Sequence, residues 1–78
     1  MEPKGYEFQH DGWRWQVVQL PTMNRVQLWH LTPGDTQWRI GHGRDIPTGM
    51  SFERASKLIE WYIVGTLTHE QYNALLPV

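Results

Sequence analysis

The chain reads as an α+β fold, a four-stranded antiparallel sheet in ββββαα order packed against one main helix, with a short C-terminal helix after it. Three observations predict this. Residues 6–17 alternate apolar and polar side chains around Asp11-Gly12, a second alternating stretch brackets Pro33-Gly34, and residues 51–65 carry apolar side chains at helical spacing. With 78 residues the chain makes one domain, near the lower size limit for a stable core without disulfides or metal. That domain is expected over residues 6–78, after a disordered start at 1–5.

Taken in order, Asp11-Gly12 is among the strongest short signals for a two-residue type I′ hairpin. The turn sets the register: His10 faces Trp13, Phe8 faces Trp15 and Tyr6 faces Val17 on an apolar side. Gln9 with Arg14 and Glu7 with Gln16 fall on the other. Pro21 to Asn24 ends the second strand. The next strand covers Val26 to Leu31, and Thr32-Pro33-Gly34-Asp35 turns the chain into a strand from Gln37 to His42. Centring that hairpin on Gly34 puts Val26, Leu28 and His30 on one face with Trp38, Ile40 and His42, and leaves Trp29, Leu31 and Arg39 on the opposite face. Gly41 to Gly49 reads as a loop.

From Ser51 to Gly65 the pattern is one amphipathic helix. Phe52, Ala55, Leu58, Ile59, Tyr62 and Ile63 share a face, against Glu53, Lys57 and Glu60 on the other. Ser51 is placed to cap the start, and Gly65 to end it. Thr68 and Gln71 have capping-box spacing and Leu67 and Tyr72 have staple spacing, so a second helix is expected from His69 to Leu76. The sheet is expected to offer Phe8, Trp15, Leu28 and Ile40 to the main helix.

Composition narrows the function. The absence of cysteine removes disulfides, thiolate zinc sites and cysteine nucleophiles together. Seven Lys and Arg against eight Asp and Glu give a formal net charge of -1, without the positive excess that drives nonspecific nucleic-acid binding. No apolar run is long enough to span a membrane, and the chain is expected to be soluble and cytoplasmic. His10, His30 and His42 share the core-facing phase, but a meander puts His42 at the opposite end of the sheet from the other two, so no metal and no cofactor are expected. His42, Asp45 and a serine have no spacing that marks a triad, and no enzymatic activity is expected.

Five tryptophans in so short a chain are the main functional clue, because each needs burial or a surface role. Once the core-facing phase is filled, Arg14, Trp29 and Arg39 remain on the polar sheet face, with Gln9, Gln16 and Gln27. Trp29 and Arg39 would be cross-strand neighbours, guanidinium on indole. Trp61 lies off the helix stripe as a competing anchor, and the second helix is expected to bury one of Trp29 and Trp61 and leave the other exposed. Arginine and aromatic residues are the types enriched at binding hot spots, so a non-enzymatic protein-binding module with Arg14, Trp29, Arg39 and Trp61 at its partner surface is the leading reading.

The layout resembles the small type I-F anti-CRISPR proteins of phage, one of which pairs a four-stranded antiparallel sheet with two helices. The matching stretches are Gly43-Arg44-Asp45, Leu58 to Tyr62, and the glycine that ends the main helix, while the Ile46 to Met50 loop and the tryptophan content depart from it. The resemblance implies a phage inhibitor that binds a bacterial CRISPR-Cas protein, and it carries over no functional residue. The alternative is a sequence-specific nucleic-acid-binding domain. A small sheet backed by a helix also resembles plant AP2 and phage-integrase arm-binding domains, in which Arg14, Arg25, Arg39 and Arg44 with Trp29 would face the DNA groove. A third reading is an assembly protein that pairs through an edge strand.

Overall fold

The computed structural model describes residues 3–77. Its elements are β1 (Lys4–His10), β2 (Trp13–Gln19), β3 (Arg25–Leu31), β4 (Arg39–Asp45), α1 (Phe52–Ile63) and α2 (His69–Leu75). The strands form one antiparallel meander in chain order, which makes β1 and β4 its edges. No described helix is long and apolar enough to cross a membrane.

The first hairpin follows from its turn. Asp11 (φ 54°) and Gly12 (φ 78°) both take the left-handed conformation a type I′ turn requires. His10, Phe8 and Tyr6 then pair with Trp13, Trp15 and Val17. The ladder runs on to Gly5 opposite Val18 and Lys4 opposite Gln19, so the strand begins inside the segment expected to be disordered. Met1 and Glu2 lie outside the described residues.

Helix α1 starts where Ser51 Oγ accepts the Arg54 N–H at 3.1 Å. Past its end Gly65 stands at φ 90°, its N–H on the Tyr62 carbonyl at 3.2 Å. Phe52, Ala55, Leu58 and Ile59 are buried with Phe8, Val17, Val26 and Leu28 of the sheet. Burying each large side chain contributes about 1.5–3 kcal/mol. The helix lies over β1 and β2 and is tied to β1 at Tyr6, whose hydroxyl donates to Glu60 and accepts from Lys57 Nζ at 2.8 Å.

Helix α2 opens on the expected capping box between Thr68 and Gln71. It takes the β4 side of the same sheet face through Tyr72, which is fully buried. The Tyr72 ring stacks on Tyr62 with centroids 4.1 Å apart, and its hydroxyl lies 2.9 Å from His42 Nε2. Arg44, only 8% exposed, sits with its guanidinium carbon 4.7 Å from the Tyr72 ring centroid. Its Nη1 donates to Asn73 Oδ1 at 2.8 Å and to the Leu76 carbonyl at 3.3 Å. A cation at the C-terminal end of a helix is favoured by the carbonyls left unpaired there.

The second hairpin departs from expectation. Leu28 pairs with His42 and Val26 with Arg44, two residues away from a register centred on Gly34. At the Leu28/Trp29 step the register shifts, so that Trp29 pairs with Ile40 and His30 with Arg39, leaving Gly41 over as a bulge. Ile40 therefore leaves the core and is 52% exposed. Ile46, read as loop, replaces it in the core, anchored by its N–H on the Asn24 carbonyl at 3.0 Å and its carbonyl on Asn24 Nδ2 at 2.9 Å. The glycines at 41 and 43 belong to a strand, not to a loop.

Candidate interaction surface

Both helices lie on one face of the sheet, and the alternation of side chains along each strand decides what the other face shows. From β1 to β4 it carries Glu7 and Gln9, then Arg14, Gln16 and Val18, then Arg25, Gln27, Trp29 and Leu31, and finally Ile40 and Asp45. Apart from Val18, the apolar members gather at one corner. Trp29 stands between Gln16 and Ile40, Leu31 stands opposite Arg14, and the Arg14 guanidinium carbon lies 5.3 Å from the Trp38 ring centroid. None of Trp29, Leu31, Trp38 or Ile40 packs against the hydrophobic core.

The arginines of the sheet other than Arg44 are each paired with a carboxylate. Arg14 donates to Glu7 Oε2 from Nε at 3.0 Å and from Nη2 at 2.8 Å. Arg25 Nη1 lies 2.8 Å from Asp45 Oδ1, and its guanidinium extends across Gly43 into the space a side chain there would fill. Arg39 Nε donates to Asp35 Oδ2 at 3.1 Å. The Gln37 backbone N–H, and after it the Arg39 side chain, hold the Asp35 carboxyl below its ordinary pKa. Each exposed pair is worth about 0–1 kcal/mol, so the pairs matter less for stability than for the field they cancel.

Of the residues expected at the partner surface, Arg14 and Trp29 share this face. Arg39 does not join them: the bulge sets it opposite His30, on the other side of the pleat, and its partner is Asp35 instead of an indole. Trp61 is half-buried on α1 against the core, with the Arg54 guanidinium carbon 5.4 Å from its ring centroid. The expectation that α2 buries one of Trp29 and Trp61 and leaves the other exposed is not met: both are half-buried, and the ring that α2 buries is its own Tyr72, which stacks on Tyr62 and bonds to His42. Arg44, counted among the groove-facing arginines, is buried beneath α2 on the opposite face. Trp38 and Ile40 were missed through the register, and a glycine inside a strand is the signal of a bulge that would have recovered them.

The three core-phase histidines have separate surroundings. His10 Nε2 lies 3.2 Å from the Asp11 carboxylate, His30 packs on Trp13 and Trp15, and His42 bonds to Tyr72. Burial, followed by the charge of Arg44, pushes the His42 pKa down. Among the described residues no three His, Asp or Glu side chains converge as metal ligands would.

The family model described as Mycobacterium phage L5 gene 74 protein matches residues 6–78. No curated protein and no solved structure matches the chain.

Proposed function

We propose, from the premise that the chain belongs to the Mycobacterium phage L5 gene 74 protein family, that it is a non-enzymatic module that binds a protein of the bacterial host through the helix-free face of its sheet. The observation that carries the reading is the corner formed by Trp29, Leu31, Trp38 and Ile40, an aromatic and aliphatic cluster held off the core and bordered by Arg14. Large apolar side chains with an arginine rim are what a hot spot presents. Pairing of Arg14, Arg25 and Arg39 with Glu7, Asp45 and Asp35 leaves little positive field, which weighs against a phosphate backbone as the ligand. The finer reading is that the host protein is a CRISPR-Cas subunit and the module its inhibitor. Phage membership and the small α+β layout support that reading.

Affinity capture from mycobacterial lysate, with and without nuclease, tests the coarser reading. A retained protein that resists nuclease and is lost with Ile40→Asp is the expected result, and nuclease-sensitive capture would replace it with the nucleic-acid reading. Expressing the chain in a host with an active type I-F system tests the finer one. Restored plating of a targeted phage is expected, and unchanged plating removes the inhibitor assignment while leaving the binding surface in place.

A further inference from the structure

The helix side of the sheet holds a second feature, at the tip of the first hairpin. A recess of about 370 Å³ opens there between His10, Asp11, Trp13, Trp15 and Ile63. Its indole wall is organised in advance. Trp13 stacks on Trp15 with centroids 5.5 Å apart and on His30 at 5.4 Å, and Trp15 stacks in turn on Phe8 at 6.3 Å. Trp13 is nevertheless 36% exposed, so its ring is both fixed and open to a ligand.

Three features of the recess favour a cation. Indole faces are negative and attract cations. Asp11 sits on the rim with its side chain 85% exposed, and the one group paired with it there is His10. Ile63 is the last residue of α1, so the recess adjoins the negative end of that helix dipole, and no basic residue stands in the last turn to compensate it. We propose that this recess binds an organic cation, the guanidinium of an arginine side chain presented by a partner, stacked on Trp13 and paired with Asp11. The site lies on the opposite side of the sheet from the proposed host-protein surface and does not depend on it.

The test uses N-acetyl-arginine amide as probe and the neutral, nearly isosteric N-acetyl-citrulline amide as control, followed through the indole N–H resonances of the whole protein. Saturable shifts of the Trp13 signal with the arginine probe, absent with citrulline, are expected at millimolar concentration. Asp11→Asn removes the charge but keeps a residue that tolerates left-handed backbone, so the turn survives. That variant should weaken the arginine probe by about threefold to fivefold, the range of an exposed ion pair. Trp13→Ala should abolish binding while the α2 amide signals, remote from the ring, stay in place. Equal binding of citrulline, no shift with either probe, or an affinity unchanged by Asp11→Asn overturns the proposal.

Discussion

The two faces of one four-stranded sheet use the same kinds of residue to opposite ends. Under the helices, Arg44 is buried without a carboxylate partner among the described residues and is held by a carbonyl, an amide oxygen and a tyrosine ring. On the free face, Arg14 and Arg25 lie in water with acids beside them and stabilise almost nothing. Tyr72 is sealed in the core at 0% exposure, while Trp29 and Trp38 have been kept off it. Residue type therefore says little about role here, and the phase of the strand says most.

That contrast breaks most readily at Leu58. Replacing this core leucine with alanine should cost about 2–5 kcal/mol in denaturant unfolding, as buried leucine truncations do. An unchanged midpoint would falsify the assignment of the helix face. Next comes Arg44→Ala, which removes both bonds to α2 and should cost about 1–3 kcal/mol. The loss should be local: amide exchange at Tyr72 and Leu76 accelerates while the β1–β2 ladder keeps its protection. Uniform acceleration across the chain would show that α2 and the first hairpin open together.

Acid should act on the same seam. His42 has its pKa pushed below the ordinary histidine value, so on acidification the unfolded chain takes up its proton first. Stability contributed by the neutral ring is complete above the unfolded pKa, near 6.5, and falls as pH drops from there toward the lower folded value. His42→Gln should flatten that stretch of the curve, and a slope that survives the substitution places the titration elsewhere. The smallest effect on folding belongs to the free face. Trp29→Ala should change stability by no more than about 1 kcal/mol, yet lower host-protein affinity by about 2 kcal/mol or more if Trp29 anchors the partner. A large loss of stability would mean that the corner is part of the fold, not a surface in reserve.

The first hairpin and α1 were legible in the chain because their determinants are local. Asp11 and Gly12 take the two left-handed conformations that join adjacent strands at one register, and Ser51, the 3.6-residue apolar stripe and Gly65 start, orient and end a helix within a few residues of themselves. The register of β3 against β4 has no such local source. Residues 32–38 make a connection long enough to allow several pairings, and the choice falls to contacts across the fold: His42 on Tyr72, Arg44 on Leu76, Ile46 held by Asn24. Those contacts draw β4 two residues along β3 and leave Gly41 as the bulge. The bulge in turn carries Ile40 out of the core phase to the helix-free corner and Arg39 away from it, so the candidate surface was settled by packing on the far side of the sheet.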